Sequence, residues 1–245
     1  MRPGEVTLIQ KNPETARLAE VAPWHENTAA CLAIGAAILA AMPPPPATVL
    51  ECGCWNGWLC HLLAKANYSV RGMDACEDAL AYARRGEPFG EAAKRPEFFT
   101  GNFEESMGDG PPVDVIVFNS AFHHSERPAE TLKAAYAGLA PGGRCILVEP
   151  GFGHTLSPQT REHARQWDVT EKDSPPIKIW RLGKKAGFKR VKVYPHPGTL
   201  FQSTYLPSAF AMRPSLRFLS SWFGGLISCG FIGAKWGHGM TVLFK

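Results

Sequence analysis

The sequence predicts an α/β fold built on a doubly wound, mostly parallel sheet of seven strands, with an aromatic-rich insertion before the last strand. Two observations carry that reading. Short apolar and β-branched runs alternate with helix-forming stretches along most of the chain. Such alternation requires right-handed crossovers, which put helices on both faces of a largely parallel sheet. The first of these runs ends in a glycine-containing turn into a helix, "LECGCWNGWLC", Leu50 to Cys60.

The elements follow in order. From Asn27 to Met42 nearly every residue favours helix, and the run stops at Pro43 to Pro46, where missing amide hydrogens and a fixed φ prevent continuation. "ATVLECG" then reads as a buried strand. Leu59, Leu62, Leu63 and Ala66 recur at helical spacing. "YSVRGMDA" is the second strand and Glu77 to Arg85 the second helix after it. "PEFFTGN" and "VDVIVFNS" are strands, Arg127 to Leu139 a helix, "GRCILVEP" a strand, and Pro175 to Ala186 a helix closed by Gly187. "FKRVKVYP" and "GMTVLFK" complete the seven. Two segments, Gly151 to Ser174 and Gly198 to His238, are too long for plain connectors. The expected organisation is a helical segment over 1–46, a core over 47–197, an insertion or cap over 198–238 and a last core strand over 239–245.

Composition narrows the function classes. A chain of 245 residues, 45% hydrophobic and 20% charged, is ordinary for a globular protein with a sizeable core. Its formal charge of +4 is spread rather than blocked, so no nucleic-acid footprint is expected. The seven cysteines form an odd set without a C-x-x-C pair, and the N-terminus lacks a signal-peptide plan. Reduced thiols and a cytoplasmic location are therefore expected. The apolar run "WFGGLISCGFIGAKW" reaches its lysine after about 13 residues, short of the roughly 20 a spanning helix needs.

At the end of a first parallel strand, the turn into a helix offers free amide hydrogens to a ligand, and small residues there allow close approach. Gly53 and Gly57 occupy that turn, but Trp55 and Trp58 stand where a dinucleotide fingerprint would place its later glycines. A nicotinamide oxidoreductase is disfavoured for that reason. A structural metal site on Cys52, Cys54 and Cys60 is disfavoured by the absence of paired ligands at metal-binding spacing. Asp74 ends the second strand about 20 residues past the loop, where a carboxylate can accept both hydroxyls of a ribose or else cap the next helix. The fourth strand runs into Asn119, His123 and His124, at the sheet edge where such folds place their ligands.

Val49-Leu50-Glu51-Cys52-Gly53-Cys54-Trp55-Asn56-Gly57 resembles the first motif of the class I S-adenosylmethionine-dependent methyltransferases, apolar-apolar-(Asp/Glu)-x-Gly-x-Gly-x-Gly, in its acid and two of its three glycines. "LAPGGRCILVEP" is similar to the family's turn and fifth strand. Trp55 departs from the pattern. The resemblance implies a Rossmann-like core that binds S-adenosylmethionine and yields S-adenosylhomocysteine. It places Glu51 near the methionine amino group, Gly53, Trp55 and Gly57 around the methionine, and Asp74 with Ala75 at the ribose. Asn102 and Phe103 fall at the adenine and Asn119 at the cofactor's inner end. It offers His123 or His124 as general base toward an acceptor hydroxyl. Glu149 is a second acid near the acceptor or an ionised rim residue. No metal is implied, since the acidic cluster of the Mg-dependent members is replaced by Asn-Ser-Ala-Phe-His-His.

The expected activity is O-methylation of a small-molecule acceptor, such as a sugar or polysaccharide precursor. A non-catalytic S-adenosylmethionine-binding scaffold is the alternative that Trp55 raises. Gly151, Gly153, His154, Asp168, Glu171 and Lys172 would line an acceptor lid or form a solvated loop. A basic cluster, Lys178 to Lys192, is a solvated face or binds an anionic substrate. The aromatics of 198–238 carry too much apolar surface to stay exposed. They would cap the acceptor pocket, make a homodimer interface or touch a membrane surface.

Overall fold

The computed structural model describes residues 3–11, 28–86, 95–108, 110–205 and 235–245. Seven strands form one sheet in the order β3-β2-β1-β4-β5-β7-β6. They are β1 (Thr48–Cys52), β2 (Ser69–Asp74), β3 (Glu97–Thr100), β4 (Val113–Asn119), β5 (Leu139–Glu149), β6 (Arg190–Pro195) and β7 (Gly239–Phe244). The first five pair in parallel, while β7 enters antiparallel between β5 and β6. The sequence-predicted seven-stranded, mostly parallel, doubly wound sheet is what forms.

The helices are α1 (Pro3–Lys11), α2 (Thr28–Ala41), α3 (Trp58–Lys65), α4 (Glu77–Arg85), α5 (Pro128–Gly138), α6 (Pro158–Trp167), α7 (Pro176–Ala186) and α8 (Pro197–Tyr205). Because strand side chains alternate between faces, neighbours in sequence go to opposite cores. Val49, Val115 and Val117 join Ile38 of α2 and Leu59 and Leu63 of α3 on one side. Leu50, Ile116 and Phe118 join Leu132 of α5 and Ile179 of α7 on the other. The result is three layers, with β1 and β4 buried on both faces.

Three elements differ from the expectation. Strand β5 begins four residues early, because Leu139 pairs with Val113 before the register shifts across the Pro141–Gly143 turn. The segment Gly151 to Ser174 contains α6, an amphipathic helix started by Pro158 and ended by Asp168 in the left-handed region. The segment 198–238 opens inside α8, which packs on α2. Most of its aromatics, including Phe210, Phe218, Trp222, Phe223 and Phe231, lie outside the described residues, as do the membrane and dimer contacts expected of them. Among the described residues no helix is long and apolar enough to cross a membrane.

Candidate functional site

A cavity of about 490 Å³ opens at the carboxyl ends of the parallel strands, within the size range of small-molecule and cofactor sites. Gly53 and Trp55 after β1, Asp74 and Ala75 after β2, Asn102 and Phe103 after β3, and Asn119 after β4 all line it. Glu51 and Gly57 are not on its wall.

The turn after β1 is shaped by strict backbone requirements. Gly53 and Gly57 take φ of 72° and 74°, and Trp55 joins them at 52° although it is not glycine. A Cβ on Gly53 would meet Ala121 Cβ at 2.5 Å; one on Gly57 would meet Phe98 and Ala83 within 2.9 Å. Gly57 therefore serves helix packing, capping α3 beneath the loop. The Trp55 ring does not fill the cavity. It packs beside Ile9, Cys76, Ala79 and Tyr82 at the cavity edge.

The Trp55 amide donates to Asp74 Oδ2 at 2.8 Å, and the Cys76 amide to Oδ1 at 2.9 Å. These bonds fix the carboxylate at the cavity wall. Burial raises the Asp74 pKa, and the backbone amides of Cys76, Trp55 and Ala75 oppose that shift. Glu51 lies behind the loop, 1% exposed, and accepts the Cys60 thiol proton at 2.9 Å. Burial, then the nearby Asp74 charge, pushes it up to about 8. The three cysteines of the loop do not converge, since Cys52 joins one core while Cys54 and Cys60 join the other.

Asn102 spends its side chain locally: Oδ1 accepts the amides of Glu104 and Glu105, and Nδ2 donates to Glu105. It shapes the turn as an Asx cap. Phe103 stands edge-on to Phe118 with ring centroids 5.5 Å apart, leaving part of the ring on the cavity. Asn119 Oδ1 is buried and has no protein partner, which leaves an acceptor unsatisfied beside the cavity.

The strand end after Asn119 is strained, with Ser120 at φ 52°. Glu149, fully buried at the end of β5, accepts the amides of Ala121, Phe122 and His123 at 2.8–3.3 Å and the His123 ring Nδ1 at 2.7 Å. It is therefore neither a rim residue nor an acid on the cavity; it holds the turn that carries the histidines. His123 is 6% exposed and not on the cavity wall, whereas His124 is on it. The His124 Nδ1 donates to the Thr170 carbonyl at 2.6 Å, which fixes the tautomer and leaves Nε2 without its proton. Burial, then the neighbouring His123, holds that ring down to about 4, so it is neutral near pH 7. Burial works the same way on His123, but bonding to Glu149 and the charges of Glu149 and Glu171 outweigh it and raise its pKa.

Glu171, on the loop between α6 and α7, gathers histidines from separate elements. His154 Nε2 lies 2.8 Å from Oε2, His163 Nδ1 lies 3.1 Å from Oε1, and His123 Nε2 lies 3.5 Å from Oε2. Burial opposes its ionisation, but His163 bonding and the facing imidazoles hold its carboxyl down at about 2. Of the sequence-predicted lid residues, His154 and Glu171 thus meet the histidine pair. Lys172 ties the loop down by donating to the Ser125 and Glu126 carbonyls, and Asp173 accepts the Gly153 and Thr155 amides. Glu5 of α1, which accepts the Thr170 amide, and His163 and Glu126 also line the cavity and were not singled out in the sequence. Their positions depend on which loops the fold brings together.

The described residues lining the cavity include Glu5, Asp74, Glu104 and Glu126 but no Lys or Arg. Such a wall, with the orphaned Asn119 oxygen, fits a ligand that brings positive charge and hydrogen-bond donors. The sulfonium and ammonium of S-adenosylmethionine are of that kind. None of the basic cluster lines it; Lys178 and Lys184 donate to backbone carbonyls and Arg190 stacks on Phe244.

Residues 24–192 match the model of a methyltransferase domain family. A ubiquinone biosynthesis O-methyltransferase of Hydrogenovibrio crunogenus is 29% identical over 96 residues, 39% of each protein. A malonyl-[acyl-carrier protein] O-methyltransferase of Halalkalibacterium halodurans is 26% identical over 113 residues, 44% of this chain and 40% of that protein. The chain thus matches about two fifths of the length of these curated relatives. Among solved structures, a chain from the complex of the Haloferax volcanii Trm112 methyltransferase activator with a putative methyltransferase aligns over 100% of this chain and 98% of its own. Its TM-score is 0.66 at 15% identity. The Haemonchus contortus phosphoethanolamine N-methyltransferase 2, solved with S-adenosyl-L-methionine, aligns over 86% of this chain and 51% of its own, with a TM-score of 0.58 at 19% identity. These structures share the fold. With a matched family model over most of its length, a mostly parallel seven-stranded sheet and a cation-fitting cavity at the strand ends, this chain belongs to the methyltransferase domain family, as a class I S-adenosylmethionine-dependent member.

Proposed function

We propose that the protein methylates a hydroxyl of a neutral small molecule, such as a sugar, at the His124 end of the cavity. When bound, S-adenosylmethionine would supply an electrophilic methyl group on a sulfonium, whose thioether sulfur is the leaving group. The chain's part is to bind, align and handle a proton. Asp74 is assigned to the ribose hydroxyls, with Gly53, Trp55 and Ala75 forming the adjoining wall. Phe103 is assigned to the adenine face, with Asn102 shaping its turn, and Asn119 Oδ1 accepts from the ammonium group. Glu51 and Gly57 act from behind the loop. The histidine pair removes the acceptor proton, His124 being the member on the cavity and His123 the member anchored to Glu149.

The observation that carries this reading is the His124 ring on the cavity wall, with Nδ1 tied to the Thr170 carbonyl and Nε2 left as acceptor. A neutral acceptor is favoured over an anionic one by the carboxylate-rich wall without Lys or Arg. Calorimetry with S-adenosylmethionine and with NADH, followed by transfer of labelled methyl to pooled hydroxyl and amine acceptors, tests it. Binding and labelled ether products are expected. NADH binding without S-adenosylmethionine binding would remove the reading, and cofactor binding with no transfer to any pool would favour a scaffold.

A further inference from the structure

We propose that His123, His124 and Glu171 form a binding site for one divalent transition-metal ion, of the zinc type, at the acceptor end of the cavity. One donor atom from each of the three lies within 4.8 Å of the others. The His123 Nε2 to Glu171 Oε2 separation of 3.5 Å is one that two ligands, each about 2.0–2.2 Å from a shared ion, can span.

The surroundings match what a metal site requires of its outer partners. Metal-ligating histidines are aimed by an acceptor on the far ring nitrogen. Here both rings are held that way: His123 Nδ1 by the Glu149 carboxylate at 2.7 Å and His124 Nδ1 by the Thr170 carbonyl at 2.6 Å. Each keeps Nε2 as its ligand atom. Glu149 in turn is fixed by three backbone amides. Two imidazoles and one carboxylate suit zinc and the other late divalent metals better than magnesium or calcium, which take oxygen ligands. His154, 2.8 Å from the same Glu171 oxygen, helps to hold that carboxylate in place. His124 borders the cavity, so the ion keeps a position open to an acceptor.

The ion's binding is independent of the proposed activity, but its role rests on that reading. With the ion in place both Nε2 atoms would be its ligands, so the histidine pair would act through the metal in place of taking the proton itself: coordination would lower the acceptor hydroxyl's pKa. The proton passes to solvent, the O–CH3 bond forms and the S–CH3 bond breaks with its pair left on sulfur.

The test uses the untagged full chain, stripped with a chelator and titrated with Co²⁺ or Zn²⁺ alone, by calorimetry and by the visible absorption of Co²⁺. One equivalent is expected, with a Co²⁺ spectrum typical of nitrogen and oxygen ligands. Glu171→Gln and His124→Gln should each weaken binding about tenfold or more, and Glu149→Gln about 10- to 100-fold through its hold on His123. His61→Gln, remote from the cluster, should leave binding unchanged. Circular dichroism checks folding, and should Glu171→Gln fail to fold, His124→Gln supplies the same comparison. No stoichiometric binding by the wild type, or undiminished binding by folded cluster variants, overturns the site. S-adenosylmethionine binding is measured in parallel: its loss with metal binding intact removes the methyltransferase reading alone, and the converse removes the metal alone.

Discussion

Trp55 and Ser120 both hold left-handed backbone at the ends of the adjacent strands β1 and β4, facing one cavity. Strain of this kind, worth about 1–3 kcal/mol per residue, persists where the surroundings fix it. At Trp55 the fixing group is Asp74, which accepts its amide, so one carboxylate sets the loop and offers itself to a ligand. Asp74→Ala should weaken S-adenosylmethionine binding by about 1.5–3 kcal/mol, measured by calorimetry; unchanged affinity would move the ribose elsewhere. Glu51 makes a different prediction. Its folded pKa of about 8 stands above the ordinary carboxyl value of 4.5, so between those values the unfolded chain ionises while the folded chain keeps its proton. Stability is thus lost as pH rises from about 4.5 to 8 and levels off above. Glu51→Gln removes that dependence, and its cofactor-free melting temperature should gain on the wild type from pH 5 to pH 8. A gap that stays constant would show Glu51 to be ionised in the fold. Asp74 could be read from its distance past the glycine turn. The burial of Glu51 behind the loop could not, since an acid at a strand end points to either side of the turn with the same sequence.

Strand β5 and the turn it supports form the next scale. The strand was evident from its apolar run, yet the work of Glu149 was not, because its partners are amides 26 to 28 residues earlier that only the parallel pairing of β4 with β5 brings alongside. His163 was invisible for a related reason: it sits on α6, inside a stretch whose polar residues gave no apolar period strong enough to mark a helix. By contrast, α4 and α7 were bounded closely, as each ends at a glycine in the left-handed region, Gly86 and Gly187. Removing Glu149 leaves three amides and a raised-pKa imidazole without their acceptor in the interior. Glu149→Ala should therefore cost about 3–5 kcal/mol, read from denaturant unfolding. A loss below about 1 kcal/mol would mean that the turn stands without it.

For the whole molecule, the alternation of strands and helices was enough to read the sheet, because central strands buried on both faces leave long apolar runs. What the alternation does not encode is which loops meet above the strand ends, and there the site is made. Glu5 of α1 and Thr170 of the loop before α7, 165 residues apart, share a hydrogen bond at the cavity edge. Ligand binding should accordingly be felt by the entire fold. At S-adenosylmethionine concentrations about 100 times Kd, stability should rise by about 2.7 kcal/mol, a melting shift of roughly 5–10 °C for a chain of this size. NADH at the same concentration should give none. A scan without a shift for either would leave the cavity to another ligand.

The placement of β7 has a consequence for the order in which the molecule is made. Strand β6 pairs with β7 and lies at the sheet edge, although some forty residues separate the two in sequence. On a ribosome, β1 to β5 can pair as a parallel sheet while β6 still lacks the neighbour it needs. The final strand then closes two antiparallel seams at once, against β5 and β6. Until that closing event, the apolar edge of β5 is open to any other strand, so the interval before it is when a nascent chain is most exposed to mispairing.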